Sequence, residues 1–177
     1  MGIINLRTSL QVRIPNLQIS KSPYMNQVTI RKATPADKDQ LLRFEQAVIE
    51  AERPFDPTLK VSGAFYYELD KMISSPDTEL VVALADDRII GSGYARVEKA
   101  KPYNEHEEFA YLGFMYLDPD YRGKGINQMI IRYLKQWAIS RNLTEIRLDV
   151  YHENERAVKA YEKEGFKKLM TLMRIKV

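Results

Sequence analysis

The stretch Asp118-Pro119-Asp120-Tyr121-Arg122-Gly123-Lys124-Gly125-Ile126-Asn127 constrains the fold more than any other part of the chain. A strand-like run, Phe109 to Leu117, leads into it. A long amphipathic run leaves it, with Ile126, Met129, Ile130, Tyr133, Trp137 and Ala138 at the spacing of a helix lying on a sheet. Between the two, Gly123 and Gly125 let the backbone turn with its N–H groups converging. The helix start adds unpaired amides and the positive end of its dipole, and Arg122 and Lys124 add charge. Phosphate is the ligand that such a loop suits.

The elements on either side follow from periodicity. Val28 to Lys32 alternates as a half-buried strand does. Thr34, Pro35 and Asp37 then open a helix that carries Leu41, Phe44 and Val48 on one face and breaks at Arg53-Pro54-Phe55-Asp56-Pro57. A second helix is predicted to carry Phe65, Leu69, Met72 and Ile73 and to end before Pro76. Glu79–Leu84 and Ile89–Val97 read as an antiparallel hairpin turning at Asp86-Asp87, followed by a polar loop from 99 to 108. Gly113, inside the Phe109–Leu117 strand, marks a bulge or a close backbone approach. After the central helix come a strand over Glu145–Tyr151 and a helix capped by Asn154. That helix carries Ala157, Ala160 and Tyr161 and stops at Gly165; Phe166 to Val177 is predicted as a closing strand or hairpin.

A chain of 177 residues suits one domain and buries roughly 70% of its unfolded surface, enough for a core and a pocket. No apolar run approaches the roughly 20 residues of a membrane span. The net charge of +3 comes from the first 27 residues, which hold Arg7, Arg13 and Lys21 and no acid; the remainder carries 24 basic and 24 acidic residues. A nucleic-acid surface is therefore not signalled. With no cysteine, the chain has no disulfide and no thiol nucleophile, which fits a reducing, cytoplasmic setting. His106 and His152 lack a third ligand, so no metal is expected. Residues 1–27 read either as a dispensable extension or as an arm used in forming a homodimer; the domain proper is expected over 28–177.

The order strand, helix, helix, three strands, glycine loop, helix, strand, helix, strand resembles the GNAT superfamily of acyl-CoA-dependent N-acyltransferases over about residues 28–177. Tyr121-Arg122-Gly123-Lys124-Gly125-Ile126 is similar to the family's Arg/Gln-x-x-Gly-x-Gly/Ala pyrophosphate loop, with Asn127 in place of the final small residue. Leu148-Asp149-Val150 through Asn154 to Ala157, and Ala160-Tyr161-Glu162-Lys163-Glu164-Gly165-Phe166, resemble its two later signatures. A third glycine is missing at Gln128, so a dinucleotide fingerprint does not fit, and no Gly-x-x-x-x-Gly-Lys-Ser/Thr occurs.

The resemblance implies an α/β (α+β) fold with a mostly antiparallel, splayed central sheet flanked by about four helices. It also implies an N-acetyltransferase moving an acetyl group from acetyl-CoA to a primary amine by direct attack in a ternary complex, without a metal. The pyrophosphate would meet the backbone from Arg122 through Gly123, Lys124, Gly125 and Ile126 to Asn127 and Gln128. The pantetheine arm would run as an extra strand along Met115, Tyr116 and Leu117, and Asn154 and Tyr161 would face the same cleft. Tyr161, with a reference pKa of about 10, suits a proton donor to the departing thiolate. The family's usual carboxylate position falls on Gly113. Asp149 is then the first candidate for the base, Glu108 the second, and a water chain stands beside them. Two alternatives stay open: a non-catalytic acyl-CoA-binding regulatory domain, and a protein N-terminal or lysine acetyltransferase in place of an enzyme for a small amine.

Overall fold

The computed structural model describes residues 28–177; the arm and its homodimer reading concern residues 1–27 and lie outside the described residues. Among the described residues, five strands form one sheet in the order β1-β2-β3-β4-β5. They are β1 (Val28–Lys32), β2 (Thr78–Ala85), β3 (Arg88–Lys99), β4 (Glu108–Leu117) and β5 (Ile146–Leu148). The first three pairings are antiparallel and β4 with β5 is parallel, so the sheet is mostly antiparallel, as expected. The helices are α1 (Lys38–Glu52), α2 (Leu69–Ser74), α3 (Ile126–Ser140) and α4 (Glu155–Lys163).

An interior strand, β2, explains the two layers. Alternate residues of β2 serve opposite faces, Leu80 and Val82 in one core and Val81 and Ala83 in the other, and all four are fully buried. On the first face α1 and α2 bring Leu41, Phe44, Leu69 and Met72. On the second α3 lays Ile126, Ile130, Leu134, Trp137 and Ala138 against the sheet, the stripe its periodicity announced. The two-residue hairpin between β2 and β3 closes at Ala85 and Arg88, with Asp86 at φ 54.

The start of α1 is anchored by charge. Arg31 on β1 donates two hydrogen bonds, of 2.7 and 2.8 Å, to the Asp37 carboxylate, which also accepts from the Thr34 amide. These bonds, the one from Arg31 first, hold the nearly buried Asp37 carboxyl down at about 2.

Three expected elements differ. The second helix begins at Leu69, not near Phe65, which is 74% exposed. The amides of Tyr66 and Tyr67 are taken by a carboxylate oxygen of Glu45, at 2.7 and 2.8 Å, and so are unavailable to a helical turn. The Glu145–Tyr151 strand shrinks to three residues because only Ile146–Leu148 finds partners, at Ala110–Leu112 of β4. The closing strand over Phe166 to Val177 is not formed. Phe166 packs against the α3-side core, but residues 167–177 are exposed and carry no strand. So short a β5 offers too little edge to hold a further strand in register.

Candidate active site

The end of β4 delivers the chain into the glycine loop through a capped turn. Asp118 accepts a hydrogen bond from the Asp120 amide at 3.1 Å and pairs with Arg88 at 2.6 Å. A 3-10 turn over Pro119–Tyr121 follows. Gly123 and Gly125 then adopt φ of 76 and 79, a region open to glycine and strained for other residues. Among the described residues, a Cβ at Gly123 would meet nothing within 4 Å, and one at Gly125 only the Gln128 side chain at 3.8 Å. The glycines are thus demanded by backbone angle, and the space above them is open. Gly125 caps α3 without a side chain, and the first turn of α3 contains no acid. The first amides and the dipole therefore face outward unopposed, as an anion site requires.

The charged residues of the loop divide the work. Lys124 sits over the Tyr121 ring, 5.1 Å from its centre. Arg122 donates from Nε to the Leu117 carbonyl at 3.1 Å, which stiffens the turn and engages a group that sequence reasoning offered to a ligand. Asn127 and Gln128 lie half-buried in the first turn of α3.

The sheet opens beside this loop. The β4–β5 ladder ends at Leu112 and Leu148, so β4 runs five residues further, to Leu117, with no strand among the described residues on that side. Met115 and Tyr116 lie on this unpartnered edge. The β3–β4 register also slips here: Ser92 faces Tyr116 and Tyr94 faces Gly113, which leaves Phe114 and Met115 opposite the single residue Gly93. Phe114 takes φ 53, a strained value for a non-glycine residue, and its carbonyl accepts from the buried Ser92 hydroxyl at 3.0 Å. The bulge expected at Gly113 falls one residue later, and what lies close to Gly113 is a side chain of the protein itself. The Tyr94 ring lies against it.

The proposed catalytic residues are not gathered at one point. Tyr161, on α4, meets Phe166 edge to face at 5.9 Å; burial first, then the charge of Glu52, pushes its hydroxyl up to about 12. Asn154 caps α4 by accepting from the Ala157 amide at 3.2 Å. Asp149 stands just beyond the last paired residue of β5, exposed, and accepts from the Tyr111 hydroxyl at 2.9 Å. Glu108 opens β4 at the other end of the strand, five residues and about 17 Å from Gly113.

Sequence reasoning missed the carboxylates of α1. Glu45 is 0% exposed, and while one oxygen accepts from the Tyr66 and Tyr67 amides, Oε2 has no partner. Glu52, two turns on, is half-buried, and burial raises its pKa. Its charge acts on the hydroxyls of Tyr66, Tyr151 and Tyr161. The signal was available: Glu45 stands one helical turn past Leu41 on the face that Phe44 and Val48 define, where a core residue is expected.

A sheet that splays after one short parallel ladder, with a glycine-loop helix start at the splay, is the arrangement that the GNAT resemblance implies. The Acetyltransferase (GNAT) family matches residues 45–166. The chain is 30% identical to streptothricin acetyltransferase of Escherichia coli over 93 residues, 52% of this chain and 49% of that protein, so the matched part spans about half of that relative. It is 26% identical to peptidyl-lysine N-acetyltransferase YjaB of Salmonella typhimurium, over 79% of this chain and 83% of that one. A solved structure from Clostridium acetobutylicum, described as a predicted acetyltransferase with acetyl-CoA, superposes with a TM-score of 0.63 at 20% identity, covering 84% of this chain and 96% of the other. The chain belongs to the GNAT acetyltransferase family, whose members use acetyl-CoA.

Proposed function

We propose that the protein is a cytoplasmic N-acetyltransferase that moves an acetyl group from acetyl-CoA to a primary amine by direct attack, with both substrates bound together. The observation that carries this reading is the junction of the anion-ready start of α3 with the unpartnered edge of β4. Pyrophosphate suits the amides from Arg122 to Gln128. The amide-bearing pantetheine suits the edge at Met115 and Tyr116 and runs toward the bulge at Phe114. The open space over Gly123 and Gly125 supports this fit.

In this reading Tyr161 is the acid. A phenol held at about 12 is fully protonated at neutral pH and can place its proton on the sulfur as the C–S bond breaks. Asn154 orients the start of α4 and so the helix that carries Tyr161. Asp149 supplies negative charge at the mouth of the splay, where a cationic acceptor arrives. Glu108, at the opposite end of β4, has no part in the mechanism we propose.

The experiment is a thiol-release assay with acetyl-CoA across amino acids, polyamines, aminoglycosides and lysine or N-terminal peptides, run beside thermal melts with acetyl-CoA and dephospho-CoA. A raised melting temperature with acetyl-CoA and turnover with at least one amine is the expected result. No shift with any CoA species overturns the cofactor reading; a shift without turnover across the panel favours a non-catalytic acyl-CoA-binding domain.

A further inference from the structure

Among the described residues, Glu45 Oε2 is buried without a hydrogen-bond partner, and the buried Tyr66 hydroxyl, which has no close hydrogen bond and interacts with the Glu52 carboxylate, belongs to the same corner. Tyr66 links them, because its amide donates to the other oxygen of Glu45 at 2.7 Å. A carboxylate oxygen left bare in a protein interior costs free energy, so such a group is kept for a ligand or a proton. Its place along β4 shows which. Phe44, the preceding residue of α1, stacks on Tyr116 with ring centres 4.3 Å apart. Tyr67, whose amide Glu45 also holds, stacks on Phe114 at 4.4 Å. Glu45 is thus bracketed by contacts to the two residues that flank Met115, at the bulge where the thioester is expected. The same corner continues toward Tyr161: the Tyr66 hydroxyl lies within the field of Glu52, and so does the Tyr161 hydroxyl.

We propose that Glu45 is the catalytic base and that the acceptor reaches it as a protonated primary amine, with its N–H groups directed at Glu45 Oε2 and the Tyr66 hydroxyl. This rests on the acetyltransferase reading. The segment leading into this corner, residues 53–65, contains no helix or strand beyond a few turns, and it must move aside to admit the amine while Tyr66 and Tyr67 stay bonded to Glu45. Glu45 takes one proton from the ammonium. The freed nitrogen lone pair forms the C–N bond to the thioester carbonyl, and the C–S electron pair leaves on sulfur. The surplus proton on nitrogen passes to the Tyr161 oxygen as the Tyr161 proton passes to sulfur, so Tyr161 ends unchanged. Glu45 releases its proton to water when the amide product leaves. The missing carboxylate at Gly113 is in this way replaced from the opposite wall of the cleft, by a helix in place of the strand.

The test is Glu45→Gln, which keeps an oxygen for the Tyr66 and Tyr67 amides and removes the base. Turnover is compared with the best alkylamine of the panel and with hydroxylamine, a nucleophile already neutral at neutral pH, and acetyl-CoA binding is read by thermal shift. The expected result is a loss of about 100-fold or more with the alkylamine, hydroxylamine turnover within a few-fold of wild type, and an unchanged acetyl-CoA shift. Three results overturn the proposal: alkylamine turnover retained, both acceptors lost in equal measure with the shift intact, or the shift itself lost, which makes Glu45 a fold residue. A wild type inert toward every amine overturns the acetyltransferase reading instead, and the role of Glu45 falls with it; Tyr66→Phe then adds nothing, whereas in an active enzyme it raises the acceptor KM with little change in kcat.

Discussion

The Tyr94 hydroxyl occupies the space that any side chain at Gly113 would enter: a Cβ built there lies 2.6 Å from the oxygen and 2.7 Å from the ring carbon that bears it. Tyr94 is itself 3% exposed and cornered by Tyr67 and Tyr111, so it cannot withdraw cheaply. Gly113→Ala is therefore expected to cost about 1–3 kcal/mol by overpacking, read as a fall in the midpoint of denaturant unfolding. In a Tyr94→Ala background the added methyl has room, and the penalty should shrink to a few tenths of that. Equal penalties in the two backgrounds would show that Tyr94 is not the obstacle. Gly113→Glu, the obvious way to restore a strand carboxylate, should lower stability without raising turnover.

At the loop the cause is different, and so is the expected readout. Gly123 and Gly125 have open space but positive φ, so alanine there meets strain and no clash. Each substitution is expected to destabilise the protein by about 1–2 kcal/mol. It should also weaken acetyl-CoA binding by more than that stability loss implies, because the amides no longer converge. Titration calorimetry against acetyl-CoA checks this; binding unchanged in both variants would remove the loop from the site.

Much of this was legible because it follows from local rules. Periodicity places α1 and α3, alternation places β1 to β3, and a Gly-x-Gly step between strand and helix fixes the anion loop. The parts that were not legible depend on partners distant in sequence. Nothing around Tyr66 announces that Glu45, 21 positions earlier, will take its amide and end the second helix before it starts. Nothing in Phe166–Val177 reveals that β5 is too short to support another strand, and there Arg174 meets Asp56 at 2.8 Å as an ion pair outside any sheet. The slip that seats the bulge at Phe114 is likewise a matter of β3 register, set by Gly93 and Tyr94 together.

The Arg31–Asp37 pair gives the fold a defined acid limb. The Asp37 pKa is lowered in the folded state to about 2 from its ordinary value of 3.8, so the native state binds its proton less readily than the unfolded chain does. Its contribution is present above pH 4, is lost as pH falls from about 4 to 2, and amounts to about 2 kcal/mol from the size of the shift. Arg31→Met should remove the largest cause of that shift, the hydrogen bond from Arg31. The variant is expected to be less stable at pH 7 and to lose less on acidification, so that the curves of the two proteins converge near pH 2. Parallel curves would place the acid sensitivity elsewhere.

Tyr161 bears the most direct functional prediction. Burial and the Glu52 charge both favour its neutral form, so its folded-state pKa of about 12 lies above the unfolded value of 10. The stability term attached to this group is fully present below pH 10 and is lost as pH rises toward 12. By the same sign, ionisation of Tyr161 cannot bend the rate profile below about pH 10, and any alkaline decline seen earlier belongs to another group. Tyr161→Phe keeps the ring against Phe166 and deletes only the hydroxyl. It should reduce kcat by about 100-fold or more and leave the acetyl-CoA thermal shift in place. The variant should also recover part of its rate with acyl donors whose thiol is a better leaving group, since such a thiolate departs without a proton. If kcat is unchanged, or if the leaving group makes no difference to the ratio of the two enzymes, Tyr161 is a core aromatic and the proton on sulfur comes from water.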